Sequence, residues 1–260
     1  MSTLRRVLLT ALPKVPLSCA TGWLASLPLP RSARPWVYGW FARRYGASLA
    51  EVEGDLASFR SLQQFFRRPL RADARPVADS ALVWPCDGRI VTCGPVRGGR
   101  IPQVKGNDYS LADLLGRADL AQALDGGSQA TIYLAPGDYH RVHAPFAAAI
   151  DGVTPLRGTL FPVNPPAVRC IDNLFVRNSR HVFRCRLPSG KAAAVVMVGA
   201  YNVGGTVVTK ATGDVPAGGE IGQFGFGSTV VAIVGPGGPA FAERPPEARV
   251  RMGQDAVATG

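Results

Sequence analysis

The sequence predicts an α+β protein: a predominantly antiparallel, β-rich domain preceded by a helical N-terminal segment. Up to about residue 75, helix-compatible runs are separated by prolines. From residue 76 to residue 260, short β-type runs alternate with Gly, Pro and Asp. With 260 residues, 47% of them hydrophobic, the chain can bury one substantial core. A barrel-sandwich arrangement is one option for the sheet, since one sequence does not give the strand order.

The individual elements follow from the periodicity of apolar residues. Helices are predicted around residues 3–12, 35–45 and 58–67, with a helical insertion at residues 111–124. The β-type runs are residues 89–93, 130–134, 181–187, 192–198, 205–210 and 229–234. The Gly/Pro-rich residues 235–239 are predicted to form a loop.

The positive charge is concentrated at the start of the chain. The net charge is +11, and residues 1–75 hold 12 Lys or Arg against four Asp or Glu. The same segment is rich in Leu and contains Trp23, Trp36 and Trp40. Arginine interleaved with Trp and Leu on an amphipathic helix fits an anionic bilayer surface better than a nucleic-acid groove. We therefore expect a membrane surface as partner and no nucleic acid; basic helices that pack on the main domain are the alternative.

The chain is expected to lie on a membrane rather than cross it. It has no run of 18 apolar residues, and Pro13, Lys14 and Pro16 interrupt the first apolar stretch before it reaches the length of a signal sequence. Its five cysteines are odd in number and lack CxxC spacing, which indicates a reducing compartment. These observations predict a peripheral protein on the cytoplasmic face of the cell membrane.

Two of the three histidines lie close together in residues 133–145 (YLAPGDYHRVHAP). The flanking prolines favour a strand, in which the spacing of His140 and His143 points the two rings to opposite faces. A zinc pair is the alternative chemistry. No cysteine or third histidine lies at ligand spacing, so no metal is expected.

Two further segments carry candidate reactive groups. Residues 220–231 (EIGQFGFGSTVV) place Ser228 after Gly227 and before an apolar strand. A Gly-Ser-Thr sequence is usually a turn that enters a strand, but it is also a position where a chain can cut itself. Residues 83–90 (VWPCDGRI) contain Asp87, which reads as a turn aspartate. Beside His143 it could instead hold the ring in one tautomer, as in a Ser-His-Asp triad.

Taken together, these segments resemble the phosphatidylserine decarboxylase proenzymes, a family of pyruvoyl-dependent decarboxylases. The resemblance runs through nearly the whole chain and includes residues 58–70, 105–111, 161–165 and 198–205. One departure is Phe226, since the family often has Leu before Gly-Ser-Thr. Phe226 supplies no reacting atom, so the change concerns packing rather than chemistry.

The resemblance implies that the chain cuts itself between Gly227 and Ser228. The products would be a β chain, 1–227, and an α chain, 228–260, that remain together as a heterodimer and could pair further. Ser228 would be the nucleophile and become the pyruvoyl cofactor, His143 the base, and Asp87 the carboxylate that orients His143. Residues 1–75 would be the membrane-associating region and residues 76–260 the catalytic domain.

The substrate implied is phosphatidylserine in a membrane, converted to phosphatidylethanolamine and CO2. His140 would return the proton after decarboxylation or position the substrate, because an imidazole pKa near 6.5 suits general acid catalysis. His181 belongs to no motif and reads as a core or surface histidine.

Two alternatives remain open on the residues alone. A lipid hydrolase could use the same Ser, His and Asp, but Ser228 would stay intact and the Gly-x-Ser-x-Gly framing is missing. A membrane-binding protein without catalysis would carry Asp87, His140, His143 and Ser228 incidentally. The number of fragments in the purified protein separates these alternatives from self-cleavage.

Overall fold

The computed structural model describes residues 20, 22–104, 107–200, 205–225 and 228–258. Within them the strands are β1 (Gly88–Pro95), β2 (Arg100–Val104), β3 (Asn107–Ser110), β4 (Ser128–Leu134), β5 (Arg141–His143), β6 (Ala148–Leu156), β7 (Arg180–Arg186), β8 (Ala192–Gly199), β9 (Val207–Val208), β10 (Gly213–Val215), β11 (Glu220–Gln223), β12 (Ser228–Val234) and β13 (Arg249–Val250). The helices are α1 (Arg34–Tyr45), α2 (Leu62–Phe66), α3 (Leu111–Leu115), α4 (Ala118–Leu124), α5 (Pro165–Val168) and α6 (Leu174–Arg177), with a 3-10 turn at Leu56–Ser58. Residues 22–26 are also helical.

An eight-stranded sheet forms the centre of the protein, in the order β10-β6-β7-β8-β12-β4-β1-β13. All neighbouring strands in it are antiparallel. The predicted α+β class, dominated by antiparallel sheet, is therefore confirmed. Among the described strands, β10 and β13 are edges, so this sheet is open and does not close into a barrel.

Strand β12 lies near the middle of this sheet and is buried along its whole length. It pairs with β4 and with β8 over seven residues each, without a bulge. Its side chains alternate between two cores: Val230 and Ala232 belong to one, Val231 and Ile233 to the other. Because both faces are covered, β12 is a continuous apolar run rather than an alternating one.

Different layers cover the two faces of the sheet. The first core includes the small sheet β5-β11-β9 through Val142 and Ile221, together with Trp84 and Phe241. The second core lies under helices α3 to α6 and the β2–β3 hairpin, which contribute apolar residues such as Phe175. The site described below lies on the side of the small sheet.

The N-terminal helices pack around an aromatic cluster of their own. The cluster comprises Tyr38, Phe41, Val52, Phe59, Phe65 and Phe66. The rings of Tyr38 and Phe65 stack with centroids 4.4 Å apart, and the Tyr38 hydroxyl donates to the Phe59 carbonyl at 2.7 Å. Across the part of the chain that the structure describes, no helix combines the length and hydropathy that a bilayer crossing requires.

The predicted helix at residues 35–45 is confirmed as α1, which starts beside Pro35 and ends at Gly46 in the left-handed conformation. The helix predicted at residues 58–67 is shorter, because Ser61 caps α2 by accepting a hydrogen bond from the Gln64 amide. The helix predicted at residues 3–12 lies outside the described residues.

All six predicted β-type runs contain strands, although β9 is only two residues long. The helical insertion is also present, but Gly116, at φ +64°, divides it into α3 and α4. Strand β6 was not predicted, because Asp151, Gly152 and Pro155 break its apolar pattern. In the structure Gly152 lies at a bulge in the β6–β7 pairing, which absorbs the irregularity.

The helical region packs directly on the loop that precedes β5. A Cβ built on Gly137 would overlap the carbonyl oxygen of Tyr45, at the end of α1. The Gly137 carbonyl also accepts a hydrogen bond from Arg68 at 2.9 Å. The close approach therefore requires glycine at position 137.

Gly137→Ala should loosen this contact. The added methyl meets backbone rather than a flexible side chain, and such overpacking costs about 1–3 kcal/mol. Urea unfolding should show the loss. Gly39→Ala, inside α1, is the control, since its Cβ meets only the end of the Arg43 side chain at 3.4 Å. Equal free energies of unfolding for Gly137→Ala and Gly39→Ala would contradict the close contact between Gly137 and Tyr45.

Candidate active site

Ser228 is the first residue of β12 and is fully buried. Its backbone lies opposite Leu134 of β4 and Gly199 of β8. Among the described residues its hydroxyl oxygen has no hydrogen-bond partner. A buried hydroxyl without a partner costs free energy, and a catalytic role is one explanation for keeping it. Phe226 and Gly227, on the other side of the predicted cleavage point, lie outside the described residues.

His140 lies immediately before β5 and is fully buried. Its Nδ1 donates to the Asp138 carbonyl at 2.8 Å, and its ring packs on Phe66 with centroids 3.9 Å apart. Its Nε2 is buried without a partner among the described residues. Burial lowers the pKa of His140 to about 3, so the ring is neutral and Nε2 carries a free lone pair.

This environment corrects the pKa near 6.5 that the sequence argument gave to His140. In this buried position the ring is a proton acceptor, because burial removes the water that would stabilise the imidazolium. The predicted role as proton donor would require the ring to take up a proton first.

His143 is held on both ring nitrogens. Its Nδ1 donates to the Gly218 carbonyl at 2.8 Å, and its Nε2 lies 3.2 Å from the Tyr139 hydroxyl. Burial lowers the pKa of His143, while the Gly218 carbonyl and the Glu220 carboxylate oppose the shift. Burial also raises the pKa of Tyr139 to about 12, so its hydroxyl keeps its proton and donates it to Nε2.

Asp87 is held by an arginine. Its carboxylate accepts from Arg75 Nε at 2.8 Å and from a terminal nitrogen of the same guanidinium, and it accepts the Met252 amide at 2.9 Å. Arg75 also pairs with Glu51 at 3.1 Å. Burial alone would lower the pKa of Arg75. The hydrogen bonds and the charge of the Asp87 carboxylate outweigh this effect, so the pKa of Arg75 lies above its ordinary value.

The structure brings Asp87 near His143 without joining them. The His143 amide donates to the Pro85 carbonyl at 2.8 Å, and the negative charge of Asp87 favours the protonated ring. The Asp87 carboxylate nonetheless accepts from Arg75 and Met252, and the His143 Nδ1 donates to the Gly218 carbonyl. The Gly218 carbonyl therefore fixes the tautomer of His143 in this structure. The orienting role of Asp87 remains a prediction.

Strand β11 and the residues after it, as far as Phe224, run beside β5 and His140. The Phe224 amide donates to the His140 carbonyl at 2.9 Å, and the Phe224 carbonyl accepts from Arg67 Nε at 3.3 Å. Ser228 follows Phe224 by four residues. A buried hydroxyl and two buried imidazoles can support nucleophilic attack and proton transfer. No group of three potential metal ligands is present among the residues that the structure describes.

Comparison with known proteins gives the family. The family model described as phosphatidylserine decarboxylase matches residues 62–258, which include Asp87, His140, His143 and Ser228. The chain belongs to the phosphatidylserine decarboxylase family. A relative from Anaeromyxobacter sp. (strain K), named phosphatidylserine decarboxylase proenzyme, is 40% identical over 95% of this chain and 95% of its own. A relative of the same name from Halorhodospira halophila (strain DSM 244 / SL1) is 40% identical over 86% of this chain and 85% of its own.

Four groups around the site were not predicted from the sequence: the side chains of Arg68, Arg75 and Tyr139, and the Gly218 carbonyl. Arg68 belongs with them because it approaches the Asp138 carbonyl that accepts from His140. Both arginines belong to the basic N-terminal third, where their charge was assigned to the membrane. The Gly218 carbonyl lies 75 residues from His143, and a backbone acceptor leaves no mark in a sequence. Only Tyr139, inside the histidine motif, could have been proposed.

The buried His140 should make the protein sensitive to acid. Its folded pKa lies below the unfolded value of about 6.5, so between those values only the unfolded chain binds the proton. Stability should therefore fall as the pH drops from 7.5 to 5, and His140 should account for about 2 kcal/mol of that loss.

Urea unfolding at both pH values checks this, in a Ser228→Ala background that keeps the chain intact. His140→Gln, which does not titrate in this range, should show a smaller pH dependence by that amount. If the free energy of unfolding depends on pH equally with His140 and with Gln at this position, His140 is not held in its neutral form by burial.

Proposed function

We propose that this protein is a self-processing, pyruvoyl-dependent decarboxylase that converts phosphatidylserine to phosphatidylethanolamine and CO2 in phospholipid synthesis. The observation that carries the proposal is Ser228, whose unpartnered hydroxyl begins a buried central strand in a chain of this family. The relatives are named proenzymes, which supports maturation by cleavage.

Self-cleavage begins with Ser228. A base takes the hydroxyl proton and the oxygen attacks the carbonyl carbon of Gly227. The bond from that carbon to the nitrogen of residue 228 then breaks as the nitrogen takes up the proton, so that the amide becomes an ester. Loss of the Cα proton of residue 228 then expels Gly227 as a free carboxylate. The dehydroalanine left behind hydrolyses to a pyruvoyl group and releases ammonia. Glycine at position 227 keeps the attacked carbonyl free of a neighbouring Cβ.

His143 is the proposed base and Asp87 its supporting carboxylate. To act on Ser228, the His143 Nε2 must exchange its contact with the Tyr139 hydroxyl for one with the serine, or receive the proton through that hydroxyl. The free Nε2 of His140 makes His140 the competing candidate. Variants of each histidine decide between them.

The residues present suit a pyruvoyl group at position 228. The position is fully buried, and no hydrogen bond among the described residues competes for the side-chain oxygen. Once formed, the group supplies a carbonyl that binds the substrate amine and withdraws electrons as CO2 leaves. The protein orients the serine carboxylate, excludes water and returns one proton, for which His140 is the proposed donor.

The two products of cleavage are proposed to remain one heterodimer. The α chain begins with β12, which is held between β4 and β8 of the β chain by two full ladders. The Met252 amide also donates to Asp87 across the two fragments. We also propose that two such heterodimers pair, which the mass of the purified protein under native conditions tests.

Membrane contact is proposed through the helical N-terminal region. Trp23, Trp36 and Trp40 expose 62%, 71% and 51% of their surface. Trp36 and Trp40 are one turn apart on α1, opposite the buried Tyr38 and Phe41. Since each CH2 group is worth about 0.8 kcal/mol, a diacyl lipid does not leave the bilayer readily and the enzyme must approach it. The proposed location is the cytoplasmic face of the cell membrane.

Cleavage gives a direct mass prediction. The purified protein should contain residues 1–227 and a separate fragment of residues 228–260 that is blocked to Edman degradation by its pyruvoyl group. Ser228→Ala should remain a single chain. Denaturing mass spectrometry measures both. An intact parent chain would favour the lipid hydrolase or the non-catalytic alternative.

Variants of the other site residues separate the two reactions. His143→Ala and Asp87→Ala should remain uncut, since nucleophile, base and orienting carboxylate act as a unit. His140→Ala should be cut but should lose most decarboxylation, a step to which a general acid contributes about 10²–10⁴-fold. Gel analysis and CO2 release report the two reactions. An uncut His140→Ala chain would reverse the histidine roles, and a normally cut Asp87→Ala chain would leave Asp87 only a structural role.

Membrane binding should have an electrostatic and an apolar part. Each basic residue near an anionic surface contributes about 1 kcal/mol, screened beyond about 8 Å at physiological salt. Vesicle binding should therefore weaken in high salt without vanishing. Trp36→Ser with Trp40→Ser should bind about tenfold more weakly. Val77→Ser, which is exposed outside α1, is the control. Unchanged binding of the double variant would place the contact elsewhere.

A further inference from the structure

Arg68 is a buried cation with unused hydrogen-bond donors. It lies two residues after α2 and only 2% of its surface is exposed. One terminal nitrogen donates to the Gly137 carbonyl at 2.9 Å and approaches the Asp138 carbonyl at 3.4 Å. Its Nε and its other terminal nitrogen are buried without a partner among the described residues.

The fold can satisfy a buried arginine, as Arg180 demonstrates. Arg180 is 6% exposed, and all three of its nitrogens donate to backbone carbonyls, including those of Leu114 and Asp113. Burial lowers the pKa of Arg68 to about 10, so it still carries its charge at neutral pH. A buried charge with free donors is costly unless a partner binds it.

Arg68 is tied to the active site through one carbonyl. The Asp138 carbonyl that Arg68 approaches also accepts the Nδ1 proton of His140, and the His140 ring packs on Phe66, two residues before Arg68. The free Arg68 donors therefore belong to the same buried neighbourhood as the free Nε2 of His140. The Phe65 ring lies 5.2 Å from the guanidinium, and the Asp87 and Asp138 carboxylates favour its charge from a distance, but none of these accepts a hydrogen bond from the two free nitrogens. An anion with oxygen acceptors is the partner that these donors lack.

We propose that Arg68 binds the phosphodiester group of the phosphatidylserine headgroup. This rests on the proposed decarboxylase function, whose substrate carries two anions, a carboxylate and a phosphodiester. The carboxylate loses its charge as CO2 leaves, so an ion pair to it would stabilise the ground state and slow the reaction. The phosphodiester keeps its charge throughout, and holding it anchors the headgroup without that penalty.

The position of Arg68 in the chain supports the same choice. It belongs to the helical region that carries the exposed Trp36 and Trp40, the proposed membrane side. In the substrate the phosphodiester joins the headgroup to the acyl chains. A phosphate site on this region therefore fits a headgroup that enters from the membrane while its amine reaches position 228.

The test compares mature parent protein with Arg68→Met and Arg68→Lys, using short-chain, soluble phosphatidylserine and CO2 release. Hydrogen bonds to charged groups contribute about 1.5–3 kcal/mol, so Arg68→Met should raise KM about 10- to 100-fold, with a smaller change in kcat. Arg68→Lys should raise KM by a smaller factor. Arg71→Met is the control, because Arg71 is exposed, pairs with Asp73 and carries the same charge in the same segment.

Two inhibitors identify which anion is bound. Glycerophosphoethanolamine carries the phosphodiester and the amine but no carboxylate, whereas O-methylserine carries the amine and the carboxylate but no phosphate. Arg68→Met should weaken inhibition by the first compound and leave the second unchanged. The opposite pattern would assign Arg68 to the carboxylate and overturn the proposal.

Two further outcomes are equally decisive. Unchanged inhibition by glycerophosphoethanolamine in Arg68→Met would reduce Arg68 to a structural cation. If that variant does not mature, Arg68→Lys decides, because an unchanged inhibition constant in it also overturns the proposal. A parent protein that releases no CO2 from phosphatidylserine would instead contradict the proposed function itself.

Discussion

The burial of β12 on both faces is the constraint on which the site depends. Because the strand lies between β4 and β8 and under two cores, its first residue, Ser228, is carried into a dry position. A reactive carbonyl formed there would be protected from water. In the proposed function the same two ladders hold the new chain end after cleavage, so one structural feature would serve both formation and use of the cofactor.

Some buried polar and charged groups near the site have partners, and others have none. Arg75 joins Asp87 to Glu51, and Glu51 also accepts from Arg251 at 2.7 Å, so the buried charges of this network are paired. Removing one member of such a pair leaves an uncompensated charge and typically costs about 3–5 kcal/mol. By contrast, the Ser228 hydroxyl, the His140 Nε2 and two Arg68 nitrogens have no partner among the described residues. These three residues are the ones to which we assign a role in substrate binding or catalysis, whereas Tyr109, His181, Arg184 and Thr229, which also have unpartnered buried polar atoms, have none.

Sequence reasoning recovered the parts that depend on local pattern. The β-branched run of β12 and the proline-flanked α1 could be read directly, as could the histidine motif. Strand β6 could not, because its bulge at Gly152 is stabilised by pairing with β7 rather than by its own residues. The partners of the site side chains were also out of reach, since the Gly218 carbonyl and Arg75 are placed by the tertiary fold. The protonation state of His140 depends on burial in the same way.

The most direct test of the account is chemical labelling of position 228. Phenylhydrazine forms a hydrazone with a pyruvoyl carbonyl but not with a serine amine. Purified protein treated with it should carry one hydrazone, located by tandem mass spectrometry at the first residue of fragment 228–260, and Ser228→Ala should carry none. Unlabelled parent protein with an intact Gly227–Ser228 bond would contradict the claim that the buried end of β12 becomes the cofactor.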